Sequence, residues 1–352
     1  MELRALLFGA ACAALILSPA RADTPGFDAA YRSGLIDAVQ KTMSGYIDPQ
    51  VTAAVRAKLD ADRASLTAIP DAAEFAKAVS DDLHAAGHDK HLNLIYSAQL
   101  PPPEAQHTRT QAEITHDVQS DRLHNAGIRG AYWLPGNIGY VNLRGFPEFN
   151  PATQHAIDAA MSVVANTDAL IVDLRHNGGG DPDSLDYWMG YLFARPTELT
   201  SIHWITPKPR VDRQFSAAKI TGAHYDKPLY VLTSARTFSC AEQFAYDVQS
   251  LRRATLVGET TGGGANPGDF NRLDAHFALF VPNGRAYNPY TKANWEGVGV
   301  KPEIPTAAND ALLKAYTVAL QSSKNQFDEL VVERAEILKD PGAALKASFP
   351  QL

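Results

Sequence analysis

The chain has 352 residues, 45% of them hydrophobic and 20% charged, with a formal net charge of −7 and a pI near 5.9. That is ordinary globular composition, rich enough in apolar residues for a substantial core. The acidic balance argues against a nucleic-acid partner, which would need a basic face or stripe; the longest basic cluster is the pair Arg252-Arg253.

The first segment reads "MELRALLFGAACAALILSPARAD". It has a charged start at Arg4, an apolar run from Ala5 to Leu17 and a small-x-small site at Ala20-Arg21-Ala22. This pattern predicts a secretory signal peptide over residues 1–22, cleaved after Ala22. The apolar run is shorter than the roughly 20 residues that span a bilayer, so no membrane span is expected in the mature protein. The expected location is periplasmic or extracellular. Cys12 leaves with the signal and Cys240 remains alone. No intramolecular disulfide is then possible, and stability must come from the core.

Residues 23–96 read as a small helical domain. "FDAAYRSGLIDAVQKTMSGYI", "PQVTAAVRAKLDADRA" and "DAAEFAKAVSDDLHAA" carry apolar residues at three- and four-residue spacing. Asp71 is the expected N-cap of the third helix, and Gly87 ends it. "HDKHLNLIYS" reads as a turn into a strand. Residues 97–130 are polar, include Pro101-Pro102-Pro103 and read as a linker.

Residues 131–308 alternate between strands and helices. The strands are "IGYVNLRGF", "DALIVDLRHN", "PLYVLTS", "ATLVGE" and "FALFVPN"; the helices are "PATQHAIDAAMSVVANT", "SLDYWMGYLFA" and "SCAEQFAYDVQSL". The fold class expected is α/β (α+β), a sheet-centred core preceded by the helical bundle. Residues 309–352 return to helical spacing.

Two stretches carry chemistry. "LIVDLRHNGGG" ends a buried strand in three glycines, where the backbone can approach a ligand and point N–H groups at it. "TSARTFSCAEQF" places Ser239 at a helix N-terminus, with Glu242 at capping-box spacing. Taken alone, that pattern is a helix cap. The same helix end also offers free N–H groups and the positive end of the dipole to an oxyanion. No Gly-x-Ser-x-Gly elbow is present, so the usual α/β-hydrolase pattern does not apply. A serine nucleophile needs a base, and His91 is one candidate among eleven histidines.

"ALIVDLRHNGGG", "PLYVLTSARTFSCAEQFAY", "LVGETTGGGANPG" and "NWEGVGVKPEI" occur in this order. Together they resemble the tail-specific (C-terminal-processing) serine peptidase family. The resemblance covers roughly residues 87–305 and is nearest the branch related to interphotoreceptor retinoid-binding protein, with tricorn protease more distant. It implies that Ser239 is the nucleophile. It also implies an oxyanion hole made by the amide of Cys240 and one from Gly178-Gly179. Members with a PDZ domain use a lysine base after a "GExT" strand. Here "GETTGGGA" puts Gly264 at that position, and no lysine follows before Lys292. The tricorn-like arrangement, a histidine from upstream supported by a glutamate from a C-terminal motif, matches His91 and Glu296. The interval from Ser97 to Gly130 is too short for a PDZ domain.

The expectation is an exported serine endopeptidase acting on a polypeptide through a Ser239 acyl-enzyme, with His91 as base and Glu296 supporting it. Glu242 is expected mainly as a cap, with a secondary chance of lining the site. No metal or organic cofactor is expected, because no His-Glu-x-x-His or Cys/His cluster is present. The alternatives are a non-catalytic binding protein for retinoid- or fatty-acid-type ligands, as the named relative implies, and an esterase for small molecules.

Overall fold

A computed structural model describes residues 26–98, 123–204, 222–324 and 326–349, together with 100, 115, 119, 120 and 220. The expected signal peptide, Cys12 and the triproline of the linker lie outside the described residues.

The N-terminal helices form where the apolar spacing predicts. They are α1 (Ala29–Thr42), α2 (Pro49–Ala61), the short α3 (Arg63–Thr67) and α4 (Ala72–Gly87). Asp28, Asp48 and Asp71 cap α1, α2 and α4, each accepting first-turn N–H groups that have no helical partner. The chain leaves α4 through His88, whose φ of 54° turns it toward β1 (Asn93–Tyr96).

β1 pairs antiparallel with β9 (Phe277–Pro282), and β9 with β8 (Gly268–Arg272). The inner face of this three-stranded sheet closes on the helices. Leu94, Phe277, Leu279 and Val281 share a buried cluster with Val39, Phe75, Val79 and Leu83. The helical bundle and residues 268–282 therefore share one core, although nearly 200 residues of chain separate them. At its centre Phe277 stacks on Phe27 at 5.7 Å and meets Phe75 edge-on at 6.2 Å.

The larger sheet is α/β, as the alternation implies. It holds β2 (Ile128–Leu134), β3 (Ile138–Leu143), β4 (Ala169–Asp173), β6 (Leu229–Thr233), β7 (Thr255–Gly258) and β11 (Ile304–Pro305) in the order β11-β7-β6-β4-β3-β2. All neighbours are parallel except β2, an antiparallel edge. Alternating side chains supply two cores, because both faces are covered. Leu170, Val172 and Val231 face α5 (Pro151–Val164), α6 (Pro182–Leu192) and α7 (Cys240–Ser250). Ile171, Tyr230 and Leu232 face α8 (Ala311–Ser322), with Leu345 of α10 (Pro341–Ser348) in the same cluster; α9 (Asp328–Ile337) lies between them in the chain.

Five strands are not visible in the sequence pattern: β2, which starts at Ile128, β5 (Ser201–Trp204), β8, β10 (Gly284–Tyr287) and β11. Among the described residues β5 pairs only with β10. These segments lie at sheet edges or in a two-stranded ribbon, so they lack the long apolar runs of β4 and β6.

Phe277→Ala should cost about 3–5 kcal/mol, since it opens a cavity between bundle and sheet. Chemical denaturation of the full chain measures this.

Candidate active site

Three adjacent parallel strands deliver their carboxyl ends to one place, where open α/β sheets bind ligands. β4 runs into the glycine segment 178–180, β6 into Ser239, and β7 into the loop 261–266. Cross-links hold the first two together. Thr237 Oγ1 donates to the Leu174 carbonyl at 2.8 Å, and the Phe238 N–H donates to the Asn177 carbonyl at 3.0 Å.

Ser239 takes φ 55° and ψ −124°, a left-handed conformation unusual for a residue with a side chain. Such strain costs of order 1–3 kcal/mol and persists only where the surroundings impose it. Here they do. The Ser239 N–H donates to Glu242 Oε2 at 3.0 Å, and its carbonyl accepts the Glu242 N–H at 2.8 Å.

Glu242 does more than cap α7. It is fully buried and gathers four donors. Oε1 accepts Thr261 Oγ1 at 2.5 Å and the Gly263 N–H at 2.6 Å. Oε2 accepts the Gly264 N–H at 2.7 Å besides that of Ser239. Burial pushes its pKa up to about 7, and the donors act against that rise. Glu242 thus ties the 261–264 loop to the serine turn from beneath.

The two glycine amides expected at the oxyanion position are not equivalent. Gly179 N–H donates to Asn177 Oδ1 at 2.9 Å, whereas Gly178 is exposed. The Gly179 N–H is thus already engaged, and Gly179 itself sits close against the serine turn. Its φ is 105°, and a Cβ there would lie 2.7 Å from Ser239 Cβ and 3.0 Å from the Cys240 nitrogen. Cys240 is a buried free thiol whose Sγ donates to the Gly180 carbonyl at 2.9 Å, holding the glycine segment against α7.

His91 reaches the same pocket from the turn before β1. Ser239, Cys240, His91, Gly264, Pro182 and Trp295 all line it. The imidazole packs on Phe238 with 4.6 Å between ring centroids. Gly264 leaves room for both rings. A Cβ on Gly264 would lie 2.2 Å from the Phe238 ring and 2.7 Å from His91 Cε1. A side chain at position 264 would have to displace His91 or Phe238, which fill that space. Burial lowers the His91 pKa below its ordinary value, partly offset by the negative charge of Asp89.

Glu296 stands behind the histidine. Its Oε2 accepts the Ala265 and Asn266 N–H groups at 2.6 and 2.9 Å, and its Oε1 is buried without a hydrogen-bond partner. Its pKa is pushed up to about 8, first by burial and then by Asp89. Asp89 was not apparent in the sequence. Asp89, His91 and Glu296 each present one ligand-type atom, all within 4.8 Å of one another. These are the groups that could hold a metal ion, and equally those that an acid–base relay needs. An acidic residue two positions before His91 was the available signal, but by itself it also describes an ordinary Asx turn.

Residues 137–306 match the family model of Peptidase family S41. Over 176 residues the chain is 27% identical to a carboxy-terminal-processing protease of Bartonella bacilliformis, covering 49% of this chain and 39% of that protein. The chain thus spans about two fifths of that curated relative's length. Among solved structures it is similar to a putative peptidase from Parabacteroides merdae, with a TM-score of 0.57 at 18% identity, covering 84% of this chain and 97% of the other. It is also similar to a lipoprotein from Streptococcus agalactiae, with a TM-score of 0.53 at 15% identity, covering 83% and 96%. At these identities the two structures share the fold.

Glu242→Gln replaces an acceptor-only group by an amide that turns N–H toward backbone donors. It should cost about 1–3 kcal/mol for each donor left unpaired, read by thermal and chemical denaturation. Gly264→Ala should leave the fold intact but displace His91 or Phe238, and a crystal structure of the variant would display the shift.

Proposed function

Residues 137–306 match peptidase family S41, and from that match we propose that the chain is an exported serine endopeptidase whose base is His91 rather than a lysine. Ser239 Oγ attacks the carbonyl carbon of a peptide bond while His91 takes the hydroxyl proton. The carbonyl oxygen becomes an oxyanion facing the amides of Cys240 and Gly178, where preorganised donors stabilise charge that develops only in the transition state. The C–N bond then breaks. His91 returns its proton to the departing amine, and Ser239 keeps the acyl group as an ester. Water, deprotonated by His91, hydrolyses that ester and frees the enzyme. Glu296 supports the histidine side of the site.

One observation carries this reading. The space that a side chain at position 264 would need is filled by the His91 imidazole, in the pocket that Ser239 also lines. That placement supports His91 in place of a base that this loop does not carry.

Export rests on the N-terminal pattern of charged start, apolar run and Ala20-Arg21-Ala22. No helix among the described residues is long and apolar enough to cross a membrane. The substrate proposed is polypeptide, entering where β4, β6 and β7 end.

A fluorophosphonate probe should label the wild type, label Ser239→Ala not at all, and label His91→Ala at least about 10²-fold more slowly. Casein should be cleaved by the wild type alone. Undiminished labelling of Ser239→Ala would overturn the nucleophile, and labelling without casein cleavage would favour an esterase. Absence of both would favour a binding protein. The rate of labelling should fall as pH falls, because His91 must be neutral to accept a proton. Burial lowers the His91 pKa, so the midpoint of that fall should lie below the ordinary imidazole value of about 6.5.

A further inference from the structure

Asp89 is 1% exposed and lies two residues before His91, on the turn from α4 to β1. Its Oδ1 accepts the His91 main-chain N–H at 2.9 Å and stands 3.7 Å from His91 Nδ1. Its Oδ2 accepts the Tyr46 hydroxyl at 3.0 Å and the Asn266 side-chain amide at 3.5 Å. Tyr46 belongs to the helical bundle, just beyond α1, and is itself buried. Asn266 belongs to the loop that also receives Glu296. The carboxylate is thus held on three sides, by its own turn, by the bundle and by the catalytic loop.

We infer that Asp89 is the carboxylate that orients His91, and that Tyr46 is a positioning residue through which the helical bundle fixes Asp89. The inference rests on His91 being the base. When Nε2 takes the serine proton, the ring becomes a cation with a proton on Nδ1. Asp89 Oδ1 is the nearest ion-pair partner for that N–H, and the 3.7 Å separation is the loose form expected before substrate binds. The proton on Nε2 passes to the leaving amine, Nδ1 keeps its own, and Asp89 stays a carboxylate throughout. Its work is to select the tautomer and stabilise the cation.

Glu296 fills a different role. It spends Oε2 on two backbone amides and so fixes the loop that carries Asn266. The bundle is then more than a neighbour packed beside the catalytic sheet. A hydroxyl 43 residues upstream of Asp89 completes the hydrogen-bonding of the group that aims the base.

The charged and titratable groups around His91 are Asp89 on its own turn, His84 from α4 and Glu296 from the loop beyond β10. Two conservative variants separate orientation from mere packing. Asp89→Asn keeps an oxygen for the His91 N–H and removes the charge. Tyr46→Phe keeps the ring and removes the donor.

The test is an NMR titration of the His91 ring in the full chain, which needs no activity. In Asp89→Asn, His91 should titrate at lower pH than in the wild type, because the cation loses its counter-charge. In Tyr46→Phe it should titrate at higher pH, because the carboxylate loses a competing donor. On a peptide substrate, kcat should fall about 10²- to 10⁴-fold in Asp89→Asn and about 3- to 10-fold in Tyr46→Phe, with KM nearly unchanged. A His91 titration unmoved in both folded variants would overturn the inference while leaving His91 as base. A wild type without hydrolysis would instead count against the peptidase reading, and the titration would still decide whether Asp89 governs His91.

Discussion

The site depends on one buried carboxylate beneath the serine turn. Glu242 sits in α7 and collects N–H donors from Ser239, Gly263 and Gly264, with the Thr261 hydroxyl as a fourth. Without it, the unusual backbone of Ser239 and the glycine loop after β7 would have no common anchor. A lone buried carboxylate is costly, and four donors are what make this one tolerable. The arrangement also reaches outward. Thr261 Oγ1, while donating to Glu242, accepts the Val300 N–H at 2.7 Å, so the strand-end loop and the segment carrying Glu296 share one network.

From that anchor the geometry of the base follows. The loop places Gly264 where its missing side chain leaves a gap, and the His91 imidazole enters the gap from the bundle side. A lysine on the loop and a histidine from the bundle are alternatives that exclude each other sterically. This chain has glycine at position 264 and the His91 ring against it. With His91 as the proposed base, the bundle would belong to the catalytic unit, and the shared core around Phe277 holds it against the small sheet.

Much of this was readable from sequence. The parallel-sheet core declared itself through "ALIVDLRHN" and "PLYVLTS", whose apolar runs are long because both faces are buried. The three bundle helices were legible from spacing, and the third also from its Asp71 cap. Ser239 and the glycines were legible because a strand-to-helix turn and a glycine triplet have few other uses together. What could not be read depends on distance in the chain. β8 is a half-polar edge strand, and only pairing with β9 defines it. Asp89 looks like a turn residue until Tyr46 and Asn266 close around it. The difference between Gly178 and Gly179 lies in a single side-chain acceptor, Asn177, whose direction no pattern encodes.

If His91 performs at Ser239 the work that a lysine on the 261–266 loop would otherwise do, its imidazole must face the reacting serine. The most direct measurement is a crystal structure of the phosphonyl adduct at Ser239. The His91 imidazole should then lie within hydrogen-bond reach of the adduct, about 2.6–3.2 Å, with the phosphonyl oxygen facing the Cys240 and Gly178 amides. An adduct with His91 turned away, and another side chain within reach of the Ser239 oxygen, would contradict it.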